Sequence, residues 1–228
     1  MLILHIETST NVCSVALSED GKLLFSKSNA EGMNHAALLS VFIAEVFETF
    51  NLSEKKLDAV AVSSGPGSYT GLRIGVSTAK GLCFGLDIPL IAVSTLEIMT
   101  VQAKKTLHEL ENSLFCPMID ARRMEVYSAF YDVKGEMKRE ISADIITPDS
   151  YAEILNNQPV YFFGNGADKC KSSLIHSNAL FIDNIFPLAE NMIQLAEKAF
   201  IEKRFVDTAY FEPFYLKEFQ TTVSSKNL

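Results

Sequence analysis

Residues 64–75, Ser-Gly-Pro-Gly-Ser-Tyr-Thr-Gly-Leu-Arg-Ile-Gly, constrain this chain more than any other segment. They follow an apolar run, Leu57 to Ser63, that reads as a buried strand, and they lead into a helical stretch from Tyr69 to about Gly85. A strand, a Gly-Pro-Gly turn and a helix together point backbone N–H groups at a phosphate or carboxylate. Ser68 and Thr70 are candidate N-caps of that helix. The same residues also serve a tight turn that needs glycine dihedrals and proline rigidity, and both readings stand. The segment is not a P-loop, because Leu72-Arg73 stands where Lys and Ser or Thr would close one.

With 228 residues, 48% of them hydrophobic and 21% charged, the chain can bury one large core or two smaller ones. Trp is absent, so the aromatic core must come from 16 Phe and 7 Tyr. Met1 to Glu7 reads as a strand rather than a cationic leader, and no apolar run is long enough to span a bilayer. A soluble cytoplasmic protein is expected. Cys13, Cys83, Cys116 and Cys170 are widely spaced with no C-x-x-C pair, which predicts free thiols. His5, His35, His108 and His176 offer no i,i+3 or i,i+4 pair, so a metal held by two histidines of one helix is excluded. No cofactor is indicated. The net charge of −8 makes a poor stand-alone nucleic-acid binder, so work on nucleic acid would require a basic partner.

Strands are predicted at Leu2–Glu7, Val12–Ser18 and Lys22–Lys27, the last two joined by an Asp20-Gly21 hairpin signal. A helix from Asn34 to about Phe50, the strand before the Gly-Pro-Gly turn, the helix after it, and a strand at Ile88–Val93 follow. Ser94 and Thr95 are candidate caps of a further helix to about His108. The second half reads as a shorter variation. It has strands at Phe115–Asp120, Glu125–Tyr131 and Val160–Phe163, a short helix from Pro148 to Asn156, and a last helix over about Leu188 to Lys203. Thr221 to Leu228 reads as a frayed tail.

The βββαβα order with one more strand is similar to the half-domain of the actin, sugar-kinase and Hsp70 ATPase superfamily. That likeness implies an α/β, two-lobed, ribonuclease H-like fold and bears on shape more than chemistry. Several segments together resemble the bacterial TsaB (YeaZ) family: Ile6-Glu7-Thr8-Ser9, Asn34-His35-Ala36, Ser64 through Gly75, Asp120 through Tyr127, Gly164-Asn165-Gly166-Ala167 and Tyr215-Leu216-Lys217. They occur in order along nearly the whole chain, and the run ending Leu-Arg-Ile-Gly is the most specific of them.

The resemblance implies an N-terminal lobe of residues 1–100, with the segment from about 212 packing back on it, and a smaller lobe of residues 101–211. It implies a non-catalytic partner subunit of the machinery that makes N6-threonylcarbamoyladenosine in tRNA. The partners would be a catalytic threonylcarbamoyltransferase paralogue, held as a heterodimer, and a small ATPase subunit, with tRNA reached through the complex. The catalytic paralogue carries His-x-x-x-His on its first helix. Here Leu39 follows His35 by one turn, and a single imidazole makes no metal site. His35 then reads as a helix-terminus or interface residue.

Vestigial phosphate binding would fall to Glu7, Thr8, Ser9, Gly65, Gly67, Gly164 and Gly166. The rival is a small actin-like ATPase or kinase that uses the Gly-Pro-Gly turn for phosphate. Asp120, Arg122, Arg123 and Glu125 form either a solvated turn with local ion pairs or part of an interlobe cleft. No Ser/His/Asp grouping for a peptidase can be assembled from spacing.

Helix 34–50 is apolar around most of its circumference, from Ala36 through Phe50, with Ser40, Glu45, Glu48 and Thr49 its polar residues. It is either buried between layers of its own domain or shared between the sheet and a partner. The next helix carries Gly71, Gly75, Gly81 and Gly85, two i,i+4 pairs that each cost about 1 kcal/mol per glycine against Ala unless close helix approach offsets it. The resemblance adds that these two helices pack on their counterparts in the paralogue. His35, Leu38, Leu39, Phe42, Val46 and Val76 are then the expected contacts, with Arg73 and Lys80 setting register. A homodimer through the same surface is expected when the partner is absent.

Overall fold

Residues 1–31, 34–52, 56–107 and 112–216 are described by the computed structural model. The chain opens as an antiparallel meander of β1 (Leu2–Glu7), β2 (Cys13–Glu19) and β3 (Lys22–Asn29). Asp20 and Gly21, with φ of 48° and 72°, make the left-handed two-residue turn that matches strand twist. After α1 (His35–Thr49), β4 (Ala59–Gly65) adds parallel to β1. After α2 (Tyr69–Leu86), β5 (Leu90–Ser94) adds parallel to β4, giving the order β3-β2-β1-β4-β5. β1 is buried at every position and β4 at all but Ser64, because the sheet is covered on both faces. Leu4, Ile6, Val60 and Val62 face α1 and α2, while Ile3, Ala59, Ala61 and Ile91 face the opposite side.

The second half repeats this plan in full. β6 (Leu114–Asp120), β7 (Glu125–Asp132) and β8 (Met137–Ile145) form a meander, and β9 (Val160–Phe163) and β10 (Ala179–Ile182) add parallel beside β6. The order β8-β7-β6-β9-β10 is that of the first sheet, so the expected shortening falls on the helices and on the two parallel strands. Only α4 (Ala152–Leu155) and a 3-10 turn at Asp168–Cys170 connect the later strands. α4 begins later than the Pro148 start read from the sequence, after Tyr151 at φ 62°. A polar network fastens β8. Arg139 donates to Asp144 Oδ1 at 3.2 Å and Oδ2 at 2.5 Å, and Ser128, Ser142 and Tyr151 donate to the same carboxylate at 2.5, 2.8 and 2.7 Å.

α3 (Thr95–Thr106) lies between the two sheets. Ile98 packs with Ile3 and Val93 of the first, while Leu96, Met99 and Ala103 pack with Phe115 and Ile119 of the second. His108, where the sequence reading ended this helix, lies outside the described residues, as does the 221–228 tail. The last helix begins as a 3-10 turn, Ala189–Met192, and continues as α5 (Ile193–Ile201). Met192, Ala196 and Ala199 pack on Ile3, Ala59 and Ile91, so this segment completes the first sheet rather than the second lobe in which a boundary at 211 would place it. The physical reason is the apolar second face of β1, β4 and β5, which α3 shares with the other sheet.

Beyond α5 the chain crosses the first lobe as a strap. Val206 N–H donates to Leu90 O at 3.0 Å, Phe214 N–H donates to Ser64 O at 2.7 Å, and the Tyr215 ring stacks on Tyr69 with centroids 4.8 Å apart. All four cysteines are free and buried. Among the described residues no helix is long and apolar enough to cross a membrane.

Candidate functional site: a helix pair and the turn that seats it

α1 and α2 lie on the same face of the first sheet, and each has one buried and one open side. On α1 the sheet takes the large side chains. Leu39, Phe42, Ile43 and Val46 are core residues, and Val46 is fully buried. Leu39, Phe42 and Val46 therefore cannot be the anchors of a partner surface, and neither can Val76 of α2, which joins the same core. An all-apolar helix turns its bulkiest residues to its own sheet, where they bury the most area. Leu38 is half-buried against that core. His35 is also inside: its Nε2–H donates to Thr10 O at 2.7 Å and ties α1 to the β1–β2 loop.

What α1 leaves open is a stripe of small residues, Ala37, Val41 and Ala44, with Val41 56% exposed. α2 presents Arg73, Ser77, Gly81 and Phe84 at helical spacing, and the Phe84 ring is 88% exposed. A Cβ on Gly81 or Gly85 would meet nothing within 4 Å. Arg73 is exposed and donates to the Tyr69 hydroxyl at 3.0 Å while lying over that ring. Lys80 does not set register across an interface. Its ammonium donates to Ala209 O at 3.0 Å and Phe211 O at 3.1 Å, which clamps the strap to α2.

The other glycine pair has a different cause. A Cβ on Gly71 would overlap the Thr8 carbonyl oxygen, and one on Gly75 would overlap the Thr8 hydroxyl. Gly67 is pressed in the same way on Ser9. Here the glycines allow α2 to sit directly on the loop after β1. Ser68 caps the helix, its Oγ accepting from Gly71 N–H at 3.2 Å, while Thr70 falls within the first turn. Ser68 N–H donates to Ser9 O at 2.6 Å, and Thr8 Oγ1–H donates to Gly71 O at 2.8 Å. Gly65, at φ 104°, faces the Phe214 carbonyl of the strap.

Glu7, Thr8, Ser9 and Gly67 thus come together at the start of α2, with Thr8 and Ser9 bonded to Gly71 and Ser68 while Glu7 Oε2 and the Ser9 hydroxyl have no hydrogen-bond partner. Gly164 and Gly166 lie in the second lobe. Gly164 packs on Met99 and the Met118 carbonyl, and Gly166 N–H donates to Met118 O at 3.0 Å.

Glu7 is fully buried, its Oε1 accepts from Ser9 N–H at 2.5 Å, and burial pushes its carboxyl up to about 7 against the pull of Ser9 and Ser63. Asp120, Arg122, Arg123 and Glu125 form a turn held locally. Arg122 N–H donates to Asp120 Oδ1 at 2.9 Å, Asp120 pairs with Lys169, and Lys169 also donates to Glu125 O at 2.7 Å. Lys169 was not read as part of this cluster; it stands 49 residues from Asp120.

Known proteins resemble this chain along nearly its full length. The family model described as TsaD, tRNA N6-adenosine threonylcarbamoyltransferase, matches residues 30–206. The tRNA threonylcarbamoyladenosine biosynthesis protein TsaB of Haemophilus influenzae is 32% identical over 228 residues, covering 95% of this chain and 94% of that protein. The TsaB protein of Escherichia coli is 31% identical, with 95% of each chain covered. YeaZ from Pseudomonas aeruginosa superposes with a TM-score of 0.80 at 29% identity, covering 94% of this chain and 99% of that structure. With two sheets of one strand order in an actin-like α/β fold and these relatives along nearly its full length, the chain belongs to the TsaB (YeaZ) family.

Proposed function

We propose that this chain is the non-catalytic scaffold subunit of the complex that forms N6-threonylcarbamoyladenosine at adenosine 37 of tRNAs reading codons that start with A. It binds and activates the catalytic threonylcarbamoyltransferase paralogue through α1 and α2. A small ATPase subunit joins that pair, and tRNA is reached through the assembly. The observation that carries this reading is the open stripe of small residues on the two helices, Ala37, Val41 and Ala44 beside Ser77, Gly81 and Phe84. Surface glycine inside a helix is costly, and close packing of a second helix offsets that cost. A flat small-residue surface with one protruding aromatic suits helix-on-helix docking, and the aromatic is the type of residue that dominates such contacts.

The acidic charge supports reaching tRNA through partners. The ATPase or kinase reading draws less support, because the N–H groups of Ser68 and Gly71 are engaged within the chain and Phe214 lies over Gly65. The deciding experiment is size-exclusion chromatography with light scattering on this chain mixed with the paralogue from the same organism. A stable 1:1 complex is expected. Two species that elute apart, with the ATPase subunit and nucleotide also present, would overturn the proposal.

A further inference from the structure

Glu7 ends β1 with its carboxyl entirely enclosed. Oε1 accepts from the Ser9 N–H, and Oε2 has no partner. The hydroxyls of Ser9 and Ser63 act on this carboxyl, and neither has a hydrogen-bond partner. An enclosed carboxylate needs a cation or several donors. Among the groups that act on Glu7 none is a cation. A proton on Oε2 removes a charge that has no cation beside it: Oε1 keeps the Ser9 N–H, and the protonated Oε2 stands among serine hydroxyls that are themselves unbonded.

The titratable groups of the surrounding elements do not change this. His5, on the same strand face, is bonded to Ser18 Oγ and is kept neutral by burial, which pushes it down to about 3. Cys13 on β2 is pushed up to about 11 by burial and stays a thiol. β4 and β5 carry no titratable residue. His35 of α1 is spent on Thr10 O. Tyr69 and Arg73 of α2 bond each other, Glu97 of α3 has Arg204 and Lys198 near it, and Glu190 in the turn before α5 accepts from Ser26.

Ser9 links this acid to the helix that carries the open stripe. Its N–H bonds Glu7, and its carbonyl receives the Ser68 N–H at 2.6 Å. Thr8, between them, bonds Gly71 O.

We propose that Glu7 is a proton-controlled latch at the end of β1, coupled to the start of α2 through Ser9: protonated, it holds residues 7–9 and the first turn of α2 in place, and on ionisation the enclosed charge loosens both. The consequence for partner binding rests on the scaffold reading; the latch itself does not. Because the folded state holds this proton more tightly than the unfolded chain, whose carboxyl titrates near 4.5, its contribution to stability is full below that pH and is lost as pH rises through about 7.

The test is a ¹³C-NMR titration of glutamate side-chain carboxyls on the isolated chain, wild type against Glu7→Gln. One carboxyl titrating near pH 7, absent in the variant, is expected, together with lower amide protection factors, corrected for the intrinsic pH dependence of exchange, at Ser68–Leu72 above the midpoint in wild type only. If all glutamates titrate below pH 5.5, the latch is overturned. Should Glu7→Gln fail to fold, Ser63→Ala decides: loss of that hydroxyl moves the midpoint of the one glutamate titrating near pH 7, and an unmoved set of titrations overturns the proposal. A complex with the paralogue that weakens at least threefold from pH 6 to pH 8 in wild type but not in Glu7→Gln extends the latch to assembly. Absence of a complex at every pH overturns the scaffold reading and leaves the titration result standing.

Discussion

Thr8 and Gly71 lock the first helix turn to the first strand. The Thr8 hydroxyl donates to Gly71 O at 2.8 Å, and the Thr8 carbonyl fills the space where a side chain at 71 would begin. Gly81, ten residues further along the same helix, faces open space. One helix therefore carries glycines of two kinds, and they respond in opposite directions to the same substitution.

Gly71→Ala forces a methyl group onto a backbone carbonyl that cannot rotate away. Urea unfolding is expected to show a loss of about 2 kcal/mol or more, in the range of overpacked sites. Gly81→Ala meets nothing and gains helix propensity, so the monomer becomes more stable by about 1 kcal/mol. Equal effects at the two positions would contradict the packing described.

The open stripe is tested by size without disturbing the core. Gly81→Arg and Val41→Glu leave the melting temperature of the isolated chain within a few degrees of wild type, since neither site is buried. On the proposed scaffold reading, both are expected to reduce association with the paralogue by at least tenfold in a titration followed by light scattering or calorimetry. Phe42→Asp fails for another reason: it unfolds the lobe, because Phe42 is core.

Lys80→Met removes the two bonds that hold the strap to α2 while keeping the aliphatic stem. The cost to global stability is about 1 kcal/mol, in keeping with partly exposed hydrogen bonds. The sharper readout is local: limited proteolysis should cut between residues 207 and 216 several times faster than in wild type. Unchanged cleavage would mean that the strap is held by Phe214 and Tyr215 alone.

Asp144 is the hub of the second lobe's polar network. Burial pushes its carboxyl up, but Arg139 with Ser128, Tyr151 and Ser142 outweighs that and holds it below the usual carboxylate range. A depressed folded value stabilises above the unfolded value and is lost as pH falls through the folded one. Wild type should therefore lose stability on acidification below about pH 4. Asp144→Ala, which leaves the Arg139 charge half-buried without its partner, is expected to cost about 3 kcal/mol at neutral pH and to flatten the acid limb. Chemical denaturation at pH 3 and pH 7 reads both effects.

The first lobe was legible in the sequence because its signals are local. The Asp20-Gly21 turn, the apolar β1 and β4 runs and the Ser68 cap each act within a few residues of themselves. β8 escaped because Met137 to Ile145 carries three consecutive charged residues, Lys138 to Glu140, and no apolar run, its inward side being the polar network around Asp144. β10 is four residues long and half-buried. Which face of α1 the sheet buries was not legible, for a reason of geometry. When a helix is apolar all round, period alone does not select a face, and the large residues that look like anchors are those the sheet claims first. Lys80 looked free because its acceptors stand 129 and 131 residues away.

The return of the last segment to the first sheet fixes an order of events during synthesis. Residues 1–94 supply all five strands of the first sheet, yet one of its faces is finished only by Met192, Ala196 and Ala199, and the edge at Leu90 only by Val206. A nascent chain that has completed those strands and α3 carries an apolar face that is only partly covered until Met192, Ala196 and Ala199 are made. The first lobe is started first and closed last, so a chain arrested within the second lobe would present that face to chaperones and to other unfinished copies.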